Sequence, residues 1–293
     1  MADRGKTVML FLMDKDVNAR IKATIPGWTG VVYKIPRTSI NDCKNRDHLK
    51  QSGVYMLFGT NDESGELAAY IGQASARKDG EGLLKRISEH KGNSEEEYWT
   101  DAIAITTTDD TFGPTEISYL ENRLYRIAVE ANRCKIKNGV DPTRGNVSEE
   151  KECELEDFID NVRIIMAALG NKSLVPINEI ASISPTQSKI ESKPLLHITN
   201  SKVDATGRQT SDGFIVYKGS KLASSPTPSC PKHLRAKREM LKKSIGDGCV
   251  LSEDVLFNSP STASGFVKYA SSNGRTDWVT EDGRSLQYLE ESR

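Results

Sequence analysis

Residues 52–58 of the chain read SGVYMLF and residues 67–73 read LAAYIGQ, with the polar segment NDESGE at 61–66 between them. Two apolar runs rich in β-forming residues, separated by Asn, Asp, Ser and Gly, predict an antiparallel β-hairpin. Tyr55 and Tyr70 lie on opposite sides of the turn, which makes them candidate cross-strand neighbours, although a sequence does not fix the register of a hairpin. The hairpin is therefore expected to bring two phenols close together.

A short helix is predicted directly after the hairpin. Residues 82–90 read GLLKRISEH, and Arg86 and His90 are four apart in this segment, so they share one helical face. Leu83 and Ile87 are also four apart and can hold the helix against a core. The pattern predicts an amphipathic helix with a cation and an imidazole side by side.

A strand at 98–105 and a longer helix starting at Pro114 are predicted next. The helix has a buried apolar stripe, and Glu121 lies on its edge with no cation three or four residues away on either side. A carboxylate in such a place needs a partner from elsewhere, such as a metal ion or a distant arginine. Glu121 is therefore a candidate functional residue.

These motifs resemble the signature of the GIY-YIG nucleases. Gly53-Val54-Tyr55 and Tyr70-Ile71-Gly72 are similar to the two halves of that signature, with Val54 in place of the usual isoleucine. Arg86, His90 and Glu121 stand in the order in which the family has an arginine, in some members a histidine, and a glutamate. The resemblance implies an α/β (α+β) fold for 51–140, namely a small three-stranded sheet built on an antiparallel hairpin and flanked by helices.

The resemblance also implies a function, the divalent-metal-dependent hydrolysis of DNA phosphodiester bonds by an endonuclease. It assigns Glu121 to the metal, Mg²⁺ or Mn²⁺, and Arg86 to the scissile phosphate. Tyr70 is the stronger candidate for the base that activates water, with Tyr55 in support. His90 is an alternative base or phosphate contact, because an imidazole titrates nearer to neutral pH than a phenol does.

Three further residues are predicted to contact substrate because of the same resemblance. Gly72 and Gln73 follow from the second half of the signature, where Gln73 replaces a lysine that is common in the family. Asn132 fits the asparagine that often completes the site, and Asn138 is the alternative for that role. The rival hypothesis for the whole module is a nuclease fold that binds nucleic acid or regulates, as a modified-DNA reader for example, without cleaving.

The charge balance bears on how DNA would be bound. The chain has 40 Lys+Arg and 41 Asp+Glu, and residues 46–140 contain 12 Lys+Arg against 16 Asp+Glu, a net charge of −4. Because phosphate affinity comes mainly from Lys and Arg, we expect another segment to contribute to DNA binding. The candidate is the basic helical pattern at 231–243, and the predicted DNA contacts are Lys232, Arg235, Lys237 and Arg238. An ordinary solvated helix face explains the same pattern equally well.

The remaining segments frame this module. Residues 1–50 predict an N-terminal β/α extension, with a buried strand at 8–13, a helix at 16–22, a strand at 30–35 and a helix at 38–50. An amphipathic helix is predicted at 148–170 and a linker at 171–210. Residues 211–293 predict a small α+β domain, similar to an uncharacterised domain that recurs behind GIY-YIG modules and, more distantly, to RAMA modules, which are thought to read modified DNA.

Cysteine content and hydropathy indicate the cellular compartment in which the protein is expected. The five cysteines are scattered and odd in number and include no C-x-x-C pair, which favours reduced thiols over disulfides or a zinc site. No apolar run reaches the length of a membrane span. We therefore expect a soluble, cytoplasmic protein that does not bind a membrane. Its expected partner is DNA. A homodimer is one arrangement that would let a single-site enzyme cut both strands.

Overall fold

The computed structural model describes residues 5–60, 67–76, 82–91, 98–176, 194–210 and 212–292. The fold is mixed α+β, as predicted, and the chain divides into two compact units, 1–179 and 180–293. Within the described ranges, no helix is long and apolar enough to cross a membrane.

The first unit is built on a seven-stranded sheet with the strand order β1-β2-β3-β6-β4-β5-β7. Each strand is antiparallel to its neighbours, except that β5 and β7 are parallel. The predicted hairpin forms β4 and β5, and the predicted strand at 98–105 forms β6 beside β4. The strands are β1 (Met9–Leu12), β2 (Ile21–Thr24), β3 (Gly30–Pro36), β4 (Gly53–Thr60), β5 (Leu67–Ala74), β6 (Trp99–Thr107) and β7 (Lys135–Ile136).

Helices cover both faces of this sheet. On one face, α1 (Leu83–Lys91) and two 3₁₀ helices, Arg37–Cys43 and Asp47–Lys50, enclose a core that includes Tyr55. On the other face, the longer helices α2 (Pro114–Ala131) and α3 (Glu149–Ala168) pack over the alternate side chains of the same strands. Since side chains alternate between the faces of a strand, each central strand contributes to both cores and reads as an almost continuous apolar run.

The ends of α2 and α3 follow from local chemistry. Pro114 occupies the start of α2, where its missing N–H costs nothing. The Ser148 hydroxyl accepts a hydrogen bond from the Lys151 N–H at the start of α3, and three glutamates lie in the first turn, where the helix dipole favours them. Gly170 has a φ of +82° just beyond the end of α3. The predicted helix at 148–170 is confirmed.

Several predictions for the N-terminal extension are wrong in detail. The expected three-stranded sheet has seven strands, because β1, β2 and β3 extend it beyond β6 and β7 adds to the opposite edge. The predicted helix at 16–22 is instead a turn followed by β2, and the helix at 38–50 consists of the two short 3₁₀ helices. The first strand was expected to be buried, yet Phe11 is 60% exposed because β1 lies at the sheet edge.

The second unit has a four-stranded sheet with the order β13-β10-β9-β8, a small β11–β12 hairpin and four helices. Its core centres on Phe214, Phe266 and Trp278. The strands are β8 (Leu196–Thr199), β9 (Asp204–Thr210), β10 (Gly213–Val216), β11 (Ile245–Gly246), β12 (Val250–Leu251) and β13 (Val255–Phe257). The helices are α4 (Lys232–Met240), α5 (Pro260–Lys268), α6 (Gly274–Asp277) and α7 (Leu286–Glu291).

The boundary of this unit differs from the predicted one. The expected linker at 171–210 contains β8 and β9, which belong to the sheet, so the domain begins before residue 196 and not at 211. The sequence of β9, DATGRQT, is polar, and pairing with β8 and β10 on both sides keeps it extended. Trp278 follows α6 and donates its indole N–H to the Pro260 carbonyl.

Candidate functional site

The two tyrosines of the hairpin lie on the same face of the sheet as diagonal neighbours. Tyr55 is opposite Gly72, and Tyr70 is opposite Leu57, so the phenols are two residues away from direct pairing. Their ring centroids are 6.2 Å apart. Tyr55 is fully buried, whereas Tyr70 is half-buried. Of the two phenols, Tyr70 is therefore the one that can meet solvent or substrate.

Gly72 provides the space in which the Tyr55 ring lies. A Cβ atom at position 72 would come within 2.4 Å of the Tyr55 hydroxyl oxygen, far inside van der Waals contact. The second glycine of the motif is thus needed to seat the first tyrosine. Gly72 was predicted to contact substrate, but it is buried beneath that ring and acts through Tyr55.

His90 joins the tyrosines from α1. The Tyr55 hydroxyl lies 2.6 Å from His90 Nε2, and the imidazole centroid is 5.0 Å from the ring of Tyr70. His90 is only 7% exposed, because Leu83 and Ile87 on the same helix are buried and draw α1 onto the sheet. The predicted helical face therefore turns inward at His90.

The pKa of Tyr55 is raised far above its ordinary value, first by burial and also by Tyr70, while Arg86 acts in the opposite direction. A phenol with such a pKa stays protonated, and its oxygen lies within hydrogen-bonding distance of His90 Nε2. Tyr55 is therefore not a suitable base. Burial outweighs the opposing effect of Arg86 on its pKa.

Arg86 lies one turn before His90 and remains partly exposed. Its guanidinium donates to Glu89 Oε2 at 2.8 Å and lies within hydrogen-bonding reach of the Tyr55 hydroxyl. The Glu89 hydrogen bond is the largest cause that raises the pKa of Arg86. The side chain of Arg86 is 44% exposed, so it keeps a permanent positive charge at the rim of the tyrosine cluster.

Glu121 on α2 meets this cluster through Gln73 of β5. Burial raises the pKa of Glu121 to about 7, while hydrogen bonds from the Gln73 side chain and backbone and the charge of Arg86 oppose that rise. The Gln73 amide also bonds the Ser118 hydroxyl, with Nε2 to Oγ at 3.1 Å. Gln73 was predicted to contact substrate; its amide is instead held between Ser118 and Glu121 and orients the carboxylate.

The structure separates the two asparagines. Asn132 ends α2 with a φ of +50°, and eleven residues of helix place it about 16 Å along the axis from Glu121, too far to share a ligand. Asn138 instead pairs with the backbone of Ile71, accepting from its N–H at 3.0 Å and donating to its C=O at 2.7 Å. The helix thus carries Asn132 away from Glu121, and a substrate contact at Asn132 stays a prediction. Asn138 braces the strand that holds Tyr70.

A divalent cation fits this arrangement through Glu121. Mg²⁺ in nucleotide and nucleic-acid enzymes is commonly held by one or two carboxylates, with water and substrate phosphate completing its shell. A half-buried carboxyl with a pKa near 7 exchanges its proton for a cation close to neutral pH. Among the residues that the structure describes, no group of three or more His, Cys, Asp or Glu could hold a metal by itself. A cation held at Glu121 would therefore need water or substrate oxygens for the rest of its shell.

The basic helix of the second unit is only partly available. Lys232 and Arg235 are exposed on α4. Arg238 is buried, with Nη2 donating to the Phe266 carbonyl at 2.7 Å and the guanidinium lying 4.6 Å from the centres of the Phe266 and Tyr269 rings. Lys237 is half-buried over Phe257, and burial lowers its pKa. The predicted DNA contact at Arg238 is wrong, because its guanidinium is buried against the unit's own core, and the contact at Lys237 stays a prediction.

Sequence reasoning did not identify Ser118 as part of the site. Ser118 precedes Glu121 by three residues, so both lie on one face of α2, and that spacing could have identified Ser118. The role of Gln73 as an orienting group had no such signal, because it depends on how β5 packs against α2.

One comparison with known proteins found a match. A family described as a domain of unknown function (DUF4357) matches residues 196–290, which span β8 to α7 of the second unit. No curated protein and no solved structure matches the chain.

Proposed function

We propose that the first unit is a GIY-YIG-type, divalent-metal-dependent endonuclease that hydrolyses phosphodiester bonds of DNA. One observation carries this proposal. Tyr55, Tyr70, His90 and Arg86, from β4, β5 and α1, lie against one another, and Glu121 of α2 is near enough for the charge of Arg86 to lower its pKa and is hydrogen-bonded to Gln73 of β5. Structural packing alone would not require a phenol pair, a guanidinium and a carboxylate of raised pKa at one place.

The proposed chemistry assigns each group by its exposure. Arg86 binds a non-bridging oxygen of the scissile phosphate and opposes the charge that develops there. Tyr70, as its phenolate, accepts the proton of the attacking water as the new P–O bond forms, and later returns that proton to solvent. The bond to the leaving oxygen breaks, and that oxygen takes a proton from solvent. Tyr55 and His90 hold Tyr70 in place beneath. When bound at Glu121, Mg²⁺ or Mn²⁺ would supply Lewis-acid stabilisation of the phosphate.

The second unit would supply affinity for DNA. Residues 196–290 contain 13 Lys+Arg against 10 Asp+Glu, a net charge of +3, in contrast to the −4 of residues 46–140. Lys232 and Arg235 are exposed on α4 and can reach phosphates. The acidic balance around the candidate site favours the alternative, a DNA-binding or regulatory protein that does not cleave.

All five cysteines are free thiols, which supports a cytoplasmic location.

The test is nicking of supercoiled plasmid in Mg²⁺ or Mn²⁺ by the full chain. Glu121→Ala and Arg86→Ala are expected to lower the rate by about 100-fold or more. Glu130→Ala and Arg126→Ala, which remove the same charges from exposed positions of α2, serve as matched controls and retain activity. DNA binding by the wild type without cleavage in either metal would favour the alternative, and cleavage unaffected by the first two changes would mean that the site lies elsewhere.

A further inference from the structure

A cleft of about 630 Å³ opens on the first unit at the β1 side of the sheet. Its floor is formed by β1, β2 and β3, and its rim by the segment 45–48 that leads into the second 3₁₀ helix. The volume lies within the range of small-molecule sites, about 300–1,000 Å³. None of the groups assigned to hydrolysis lines it.

The cleft lies on the same sheet face as Tyr55. Strand pairing aligns Phe11, Lys22, Tyr33, Ala104 and Tyr55 in one row across five strands. Four strand spacings of about 4.8 Å place Phe11 about 19 Å from Tyr55. The cleft and the candidate hydrolytic site are thus separate places on one surface.

One wall of the cleft is apolar and solvent-facing. Met9 is 50% exposed and Phe11 is 60% exposed, and both line the cleft from β1. Large apolar side chains so exposed on one short strand are unusual on a surface without a binding role. A wall that is open to solvent suits stacking against one face of a flat ring better than it suits enclosing an acyl chain.

Cationic side chains line the same cleft. Lys22, the cross-strand partner of Phe11, and Arg46 both line it, and His48 Nδ1 lies 3.0 Å from the Tyr33 hydroxyl. Burial and then the charge of Lys22 lower the pKa of His48, which favours the neutral ring. Asp47, the one carboxylate among the lining residues, is paired with Lys50 at 2.8 Å. The cleft therefore complements an anion.

We propose that this cleft binds a nucleotide, with the base stacked on Phe11 and the phosphate held by Lys22 and Arg46. An aromatic face beside a guanidinium and an ammonium is the combination that recognises a nucleobase and its phosphate together. The nucleotide is either a free mononucleotide or one unit of a bound DNA strand. The proposal does not depend on hydrolysis at Glu121.

The experiment measures binding to the full-length Glu121→Gln protein in EDTA, so that cleavage cannot interfere. Isothermal titration uses deoxyadenosine 5′-monophosphate, deoxyadenosine, inorganic phosphate and a ten-nucleotide oligodeoxyadenylate. Phe11→Ala and Arg46→Ala are each expected to weaken nucleotide binding by about tenfold. Val17→Ala and Lys44→Ala are matched controls, because both residues are exposed near the cleft without lining it, and these changes leave affinity within about twofold.

The outcomes separate the sources of the nucleotide. Binding of the monophosphate about tenfold tighter than deoxyadenosine or phosphate alone supports a free nucleotide. Binding of the oligonucleotide alone, weakened by both Phe11→Ala and Arg46→Ala, supports a strand. The proposal is overturned if neither probe binds or if both variants bind as the parent does. Self-association that Phe11→Ala abolishes and Arg46→Ala leaves intact would also overturn it, in favour of a surface for a second copy.

Discussion

Two tyrosines of one motif have different chemical capacities because of their surroundings. Tyr55 is buried beneath α1, burial keeps its phenol protonated, and its oxygen is hydrogen-bonded to His90 Nε2. Tyr70 shares the face and the aromatic neighbours but is partly open to solvent. The residue pattern alone could not rank them, because the difference lies in which ring the helix covers.

Replacing each tyrosine with phenylalanine should therefore give different phenotypes. Tyr70→Phe is expected to lower the single-turnover nicking rate by about 100-fold or more, the usual cost of losing a general base. Tyr55→Phe should lower the free energy of unfolding by about 1–3 kcal/mol, because His90 Nε2 loses its buried hydrogen-bond partner, and should reduce the rate much less. Urea denaturation and single-turnover kinetics on both variants check this. A larger rate loss for Tyr55→Phe would reverse the assignment.

The raised pKa of Glu121 predicts that the stability of the fold depends on pH. Its folded pKa of about 7 lies above the unfolded value of 4.5. Between these values the unfolded chain releases its proton first, so the free energy of unfolding falls as pH rises from 4.5 to 7. Glu121→Gln removes that fall, and the variant should gain stability over the wild type at pH 8 but not at pH 5.

Urea denaturation at both pH values in EDTA measures the effect. Added Mg²⁺ should restore stability to the wild type only, because the cation binds the ionised carboxylate. For the same reason, nicking at limiting Mg²⁺ should rise with pH through about 7. A stability difference that does not change with pH would show that Glu121 titrates normally.

At the scale of elements, two glycines of the hairpin allow its strands to pack closely against their neighbours. A Cβ at Gly72 would strike the Tyr55 hydroxyl, and one at Gly53 would lie 2.2 Å from the Ile105 carbonyl oxygen of β6. The two glycines of the motif thus permit close approach of β4 to its neighbours on both sides. Their role is steric, and neither needs to contact substrate.

Gly72→Ala should destabilise the protein by about 1–3 kcal/mol, the usual cost of overpacking a core. The displaced Tyr55 ring should also lower nicking activity. Gly139→Ala is the matched control, because a Cβ there meets nothing within 4 Å. Thermal unfolding of both variants makes the comparison, and equal melting temperatures would contradict the packing described for Tyr55.

Elements with strong periodicity could be predicted from sequence, and elements that depend on neighbours could not. The apolar stripe of α2, the capped α3 and the hairpin appear close to their expected bounds. Residues 16–22 lack a sustained period, and their second half becomes β2 only because β1 and β3 pair with it. The polar strand β9 was assigned to a linker for the same reason, since pairing on both sides outweighs its composition.

Among the candidate site residues, those with distinctive chemistry can be recognised in the sequence, and those defined by contacts between elements cannot. Glu121 was recognisable as a carboxylate on an apolar helix edge without a local cation. Gln73, Ser118 and Asn138 contribute only through hydrogen bonds between elements far apart in sequence. Arg238 was misassigned because a charge on a helical wheel does not reveal that its face packs against α5.

At the scale of the whole molecule, the two units differ in charge. The acidic balance around the candidate site and the basic balance of the second unit suggest a division between cleavage and affinity. If the proposed function holds, counterion release would make DNA affinity depend on the exposed cations of α4. The roles of the two units can be separated by measuring binding and cleavage independently.

The double variant Lys232→Ala/Arg235→Ala should weaken DNA binding and reduce the slope of log affinity against log salt by about 2. The nicking rate at saturating DNA should stay near that of the wild type. Lys218→Ala/Lys221→Ala, which removes two exposed cations from another part of the same unit, should change the slope less. Fluorescence anisotropy from 50 to 200 mM salt measures both. Equal slopes for the two double variants would exclude α4 as a specific DNA contact.

The most direct measurement is a crystal structure of the full-length protein with Mn²⁺ and a DNA oligonucleotide, in which anomalous scattering locates the metal. The account predicts an anomalous peak about 2.0–2.2 Å from a Glu121 carboxylate oxygen, with a phosphate between it and Arg86 and with Tyr70 facing that phosphate. A DNA-bound protein whose only manganese peaks lie away from Glu121, or whose phosphates avoid Arg86, would contradict it.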